Sequence, residues 1–205
     1  MTAGGALARV IRAPAGPRTA DAELCDLCAA PVPDEHRHLY DGTREEVLCA
    51  CRPCSLLFTD REASEGHYLL IPGRRLRLPP VDTGPLGVPV GLAFFVPHAD
   101  GTATAHYPSP LGATRWELDA AAWHQAVAGC GELATVAPEV EALLVNTARG
   151  LSHHWIVPVD DCFRMVAVVR REWEGLSGGQ RVWPALERFF AELAARHPSE
   201  PAGRP

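Results

Sequence analysis

Residues 88–96, VPVGLAFFV, decide how the rest of the chain is read. The run is almost wholly apolar and rich in β-favouring residues, so it reads as a buried strand. The next residues, His98-Ala-Asp-Gly101, have turn chemistry, and TATAHY (102–107) can return as the hairpin partner. Beyond it, LDAAAWHQAVAG (118–129) reads as a helix. Asp119 is placed to cap it, alanine is the best helix former, and Gly129 can end it. PEVEALLV (138–145) opens with Pro138 and Glu139, both favourable in a first helical turn, while its end is ambiguous between helix and strand. HWIVPV (154–159) and FRMVAVVRREW (163–173) flank Asp160 and Asp161, which predicts two antiparallel strands joined by an acidic turn. Pro158 then suits an edge strand. In VWPALERFFAELAARH (182–197), Val182, Leu186, Phe189, Phe190 and Leu193 recur at helical spacing, with Pro184 near the start. Together these segments predict an α+β fold, mainly an antiparallel sheet with flanking helices, and no internal repeat.

Working towards the N-terminus, IPGRRLRLPPVDTGPLG (71–87) reads as a loop leading into this domain, which is expected to span 61–197. Residues 21–60 hold five of the seven cysteines and read as a compact separate unit, while 1–20 and 198–205 have the Ala/Gly/Pro content of loose tails. A chain of 205 residues suffices for one well-buried core plus a small satellite. The formal charge of −6, with no lysine present, argues against general nucleic-acid binding, which needs a basic surface. No apolar run approaches the roughly 20 residues that cross a bilayer, and the first 20 residues lack the apolar centre of a secretory signal. The expected compartment is therefore cytoplasmic, where clustered cysteines point to metal or redox chemistry rather than to structural disulfides.

The cysteines carry the clearest chemical signal. Cys25 and Cys28 form one C-x-x-C, and Cys51 and Cys54 form another after 22 intervening residues. Each pair lets a tight backbone turn aim two thiolates at one ion, and two such knuckles complete a tetrahedral four-sulfur site of zinc-ribbon or rubredoxin-like type. Thiolates suit zinc or a single iron. Rubredoxin-type iron knuckles usually carry glycine after the second cysteine; Ala29 and Ser55 stand there, which favours zinc, with iron the alternative. Cys49 is a fifth sulfur. Strand alternation in EEVLCAC puts it on one face with Val47 and Cys51, roughly 7 Å from the latter. An extra ligand, a redox partner and a small buried hydrophobe all remain open for it. His36 and His38, in DEHRH, lie between the knuckles and are further candidate ligands, of the same ion or a second one; supporting or surface roles are the competing reading.

Other features are weaker. GLSGGQ (175–180) could cradle an anion at a helix start but lacks the lysine and spacing of a phosphate loop, so an ordinary turn is the simpler reading. His153 and His154 could converge with Asp160 and Asp161, or could equally be exposed polar residues on two strands. Cys130 and Cys162 stand alone in apolar surroundings and read as core, and Ser109 lacks a nucleophile context. No convincing catalytic set emerges, so a non-enzymatic role is expected.

The segments CDLC, HRH, LCACRPCSLLF, VPVGLAFF, YPSPLGAT, PEVEALLVN and VPVDDCFRMVAVVRREWEGLSGG in combination resemble an actinobacterial family of unknown function (DUF5947-like). The likeness covers about residues 23–195. Members of that family are often encoded beside high-affinity nickel–iron hydrogenases. The resemblance therefore implies an accessory protein that binds a protein partner, a hydrogenase or one of its maturation factors. A rubredoxin-like electron carrier serving the same system is the alternative it implies. The family has no catalytic residues to carry over.

Overall fold

A computed structural model describes residues 23–60, 67–87, 91–175 and 179–196. Both expected tails, residues 88–90 of the opening strand and 176–178 of GLSGGQ lie wholly or mainly outside the described residues. In chain order the elements are β1 (Arg37–Asp41), β2 (Glu46–Ala50), α1 (Arg52–Ser55), β3 (Tyr68–Leu70) and β4 (Leu76–Arg77). There follow β5 (Leu92–Pro97), β6 (Ala103–Ser109), β7 (Gly112–Leu118), α2 (Ala120–Gly129), β8 (Glu141–Asn146), β9 (His153–Pro158), α3 (Val159–Glu172) and α4 (Val182–Ala195). Short 3₁₀ turns occupy Leu56–Phe58, Gly131–Thr135 and Ala148–Gly150. The fold is α+β with antiparallel sheets, as expected.

One sheet has six strands in the order β4-β9-β8-β5-β6-β7, every neighbouring pair antiparallel. Its central strands are buried on both faces, so they read as continuous apolar runs without alternation. On one face Phe94, Val96, Leu144, Trp155 and Val157 meet Cys162, Met165 and Val169 of α3 and Leu186, Phe189, Phe190 and Leu193 of α4. On the other face Ala93, Phe95, Leu143, Val145 and Ile156 meet Trp123 and Ala126 of α2, with Leu133 of the following 3₁₀ turn and Val136 just after it. Leu78, Val81 and Leu86 complete that second core. The segment 71–87 is thus more than a connecting loop: it contributes β4 and buries three side chains in the second core.

The β5–β6 hairpin forms as expected, with Gly101 at φ 88° in the turn, a conformation open to glycine. Asp119 caps α2, its Oδ1 accepting from the Ala122 N–H at 2.8 Å. The helix expected over 182–197 is α4.

Three expectations are overturned. PEVEALLV does not begin a helix: Glu139 takes φ 70° in a turn, and residues 141–146 are β8, the most completely buried strand. The favourable helix-start chemistry of Pro138 and Glu139 yields to a strand flanked on both sides and covered on both faces. Residues 163–172 are not a strand returning after an acidic turn; they belong to α3. The buried set Val159, Cys162, Met165, Val166 and Val169 follows helical spacing. Asp160 and Asp161 occupy its first turn and Arg170 and Arg171 its last, which complements the helix dipole. Nor is β9 an edge strand, since it lies between β4 and β8; Pro158 closes it and stands at the N-cap of α3.

A second, three-stranded sheet has the order β2-β1-β3. Leu39 is fully buried in it, and Leu69 and Ile71 join the core beneath α3 and α4, with Tyr40 and Val47 packed alongside. This sheet carries the cysteines to the edge of the main domain.

Candidate metal centre

The first knuckle is a tight turn closed by two backbone bonds: the Cys25 N–H donates to the Ala30 carbonyl and the Ala29 N–H to the Cys25 carbonyl, both at 2.8 Å. Ala29 sits at φ 56°, a left-handed conformation that glycine adopts without cost. The second knuckle is built on a helix start. Cys51 is the N-cap of α1, Pro53 lies in the first turn, and the Ser55 N–H donates to the Cys51 carbonyl at 2.9 Å. Asp26 joins the two knuckles. Its N–H donates to the Cys49 carbonyl at 2.9 Å, and its Oδ2 accepts from the Cys49 N–H at 2.6 Å. This clips the first turn to the free edge of β2, immediately beside Cys51.

The sulfurs of Cys25, Cys28, Cys51 and Cys54 consequently all lie within 4.8 Å of one another, with Cys28 and Cys51 3.6 Å apart. Cys25 and Cys51 are buried, Cys54 is half-buried and Cys28 is exposed. Burial raises the Cys25 thiol, but backbone N–H groups of Cys51, Leu27 and Cys28 aimed at it outweigh that and bring it to about 6. Cys54 is pushed up to about 12, chiefly by its contacts with the sulfurs of Cys51 and Cys28. The four thiols thus share their charge unequally, with thiolate character favoured at Cys25. Four convergent sulfurs of this kind can hold one tetrahedral metal ion.

Cys49 belongs to a different group. It pairs with His38 across β1 and β2, and His36 precedes His38 by two residues, so all three side chains share one sheet face. Their ligand atoms also lie within 4.8 Å of one another. His38 Nδ1 is 2.7 Å from Asp160 Oδ2 at the start of α3, a bond between residues 122 positions apart. Both histidines line a cleft of about 710 Å³, together with Arg75, Asp161 and Arg164.

His153 and His154 do not converge with the aspartates. The His153 ring stacks on Phe190 at 4.7 Å, and buried His154 accepts the Val81 N–H at its Nδ1, 3.2 Å away. Asp161 pairs instead with Arg75 at 2.6 Å and Arg164 at 3.2 Å. Cys130 and Cys162 are buried as expected, and Ser109 Oγ accepts the Leu111 N–H at 3.3 Å in the β6–β7 turn. Around GLSGGQ, Gly175 and Gly179 both have positive φ, and the Gly175 carbonyl accepts from the Trp173 indole N–H at 2.9 Å. Sequence reasoning missed the parts played by Asp26 and Asp160. Asp26 lies inside the first knuckle, where a short side chain able to accept backbone N–H groups is a usable signal. Nothing local marks Asp160 as a partner of His38.

These features define an α+β protein with a cysteine-rich sheet at its edge and a four-sulfur cluster that can hold a metal ion. The chain belongs to the family of unknown function DUF5947, whose model matches residues 24–197. No curated protein and no solved structure matches it. Among the described residues no helix is long and apolar enough to cross a membrane.

Proposed function

We propose that Cys25, Cys28, Cys51 and Cys54 bind one zinc ion, and that the protein is a non-catalytic accessory factor which docks on a protein partner through this zinc-ribbon unit. The observation that carries the reading is the mutual approach of the four sulfurs within 4.8 Å on two clipped knuckles. Docking is supported by Leu24 and Leu27 in the first knuckle and by Leu56 and Leu57 just after the second. All four are exposed, Leu56 and Leu57 to 61% and 65%. Single exposed leucines are ordinary, but four beside one small site suit an interface. The resemblance described above names the partner class, a nickel–iron hydrogenase or one of its maturation factors.

The test is metal analysis with an absorbance spectrum of the full chain, followed by affinity capture from cells expressing a hydrogenase. A colourless protein holding zinc, with Cys28→Ser/Cys54→Ser losing that zinc and Leu56→Asp/Leu57→Asp losing the captured hydrogenase or maturation factor, is the expected outcome. A red protein that bleaches on reduction would replace zinc with iron and the accessory role with electron transfer. Capture unaffected by the leucine changes would remove the docking surface.

A further inference from the structure

We propose a second metal site, formed by His36 Nε2, His38 Nε2 and Cys49 Sγ, that binds a divalent zinc-type ion with three protein ligands and leaves its fourth position to water or a small ligand from the cleft. Strand geometry brings the three together. The Cys49 N–H and C=O are both turned outward to Asp26, and the His38 carbonyl is turned towards β3, where it accepts from Ile71. His38 and Cys49 are therefore a non-hydrogen-bonded cross-strand pair, the kind whose side chains approach most closely. His36, two residues before His38, adds the third ligand on the same face.

The ring nitrogens are already sorted for coordination. His36 Nδ1 donates to the Pro33 carbonyl at 2.9 Å, and His38 Nδ1 donates to the Asp160 carboxylate at 2.7 Å. In each ring the proton is thereby fixed on Nδ1 and the lone pair on Nε2 is free to bind. A carboxylate or carbonyl behind the ring is the usual support of a metal-binding histidine. The decisive observation concerns His36: its side chain is only 4% exposed, and Nε2 is buried without a hydrogen-bond partner. That nitrogen faces the Glu23 carboxylate at 3.8 Å. A buried acceptor turned towards a carboxylate is unfavourable as it stands, and an ion bound at Nε2 satisfies it while the nearby carboxylate offsets the ion's charge.

Two imidazoles and one thiolate are a ligand set that zinc takes. Three protein ligands beside an open cleft match the coordination of zinc sites that exchange a ligand, in contrast to the closed four-sulfur set.

The test uses the full chain, reduced and stripped of metal, titrated with cobalt(II) and then zinc, with equivalents counted by native mass spectrometry. His36→Gln/His38→Gln should bind one equivalent fewer than the wild type. Cys49→Ser should lose the same equivalent, together with one thiolate's worth of the cobalt charge-transfer band. Asp160→Asn should weaken that equivalent about 10- to 100-fold. Cys28→Ser/Cys54→Ser should keep it, so that failure of the four-sulfur reading is told apart from failure of this one. Equal stoichiometry in wild type and the folded histidine double variant overturns the proposal. If that variant does not fold, an undiminished count in Cys49→Ser overturns it instead.

Discussion

At the scale of single residues, conformational and electrostatic costs are concentrated in a few places. Ala29 holds a left-handed turn in the first knuckle, where an L-residue costs about 1–2 kcal/mol and glycine, after its own entropy loss, costs less. Ala29→Gly is expected to stabilise the protein by about 0.5–1 kcal/mol in urea unfolding, with its metal content unchanged. His106 is the second such place. Burial, helped by the Arg115 charge, lowers its pKa from 6.5 to about 4, and its ring stacks on Phe94 at 4.5 Å. The unfolded chain then takes up a proton below pH 6.5 that the folded protein refuses. The stability involved is present above pH 6.5 and is lost as pH falls towards 4, on the order of 2–3 kcal/mol. His98 works in the opposite sense, because its bond to Glu139 raises its pKa and contributes stability that is lost as pH rises. Comparing His106→Phe with the wild type isolates the first effect: the variant should lose less stability between pH 6.5 and 4.5. Parallel acid limbs for the two proteins would show that His106 does not titrate in this way.

At the scale of elements, buried ion pairs anchor the ends of the central strands and helices. Glu141, buried at the start of β8, receives Arg74 in a two-pronged pair at 2.9 and 2.6 Å and accepts the Ala137 N–H at 2.8 Å. Asp161, buried in the first turn of α3, receives Arg75 and Arg164. Both bonds reach into the 71–87 segment and hold it against the sheet. Only the carboxylates are buried and the arginines stay partly exposed, so Glu141→Ala and Asp161→Ala should each cost about 1–3 kcal/mol by denaturant unfolding, chiefly from the hydrogen bonds lost. A cost under about 1 kcal/mol would mean that water replaces the lost bonds. The close approach of Gly91 to the turn after β8 is equally demanding: a Cβ there would lie 2.4 Å from the Ala148 amide nitrogen. Gly91→Ala is therefore expected to lower the thermal midpoint clearly, whereas an alanine at Gly73, which meets nothing within 4 Å, should leave it almost unchanged.

At the scale of the whole molecule, the small sheet leans on the main core at one end and has little apolar support at its knuckles. Leu69 and Ile71 sink into that core, and His38 bonds to Asp160, yet the knuckles themselves bury few apolar side chains: Cys25, Val32 and Cys51. So small a cluster supplies little folding energy, and bound metal would have to supply the rest. Chelation is accordingly expected to open residues 23–60 to trypsin at Arg37 and Arg44, while the six-stranded sheet and its helices survive as a resistant core. Unchanged digestion after complete metal removal would show that the small sheet folds without an ion.

Features whose chemistry is local were legible before any fold was known. Two C-x-x-C pairs foretold the four-sulfur cluster because two residues of spacing fit one turn, and the Asp119 cap and the α4 stripe follow from bonds within one segment. The H-x-H pair was likewise visible as two candidate ligands between the knuckles. Tertiary structure alone decided whether EALLVN was helix or strand, since a run buried on both faces has no period to read. It also decided that the valine-rich 159–172 would coil, once its 3.6-residue stripe found the sheet to cover. Only the pairing of β1 with β2 put Cys49 opposite His38, and only the docking of α3 put Asp160 behind that ring. Partners 11 and 122 residues apart meet through register and packing, which no local pattern encodes.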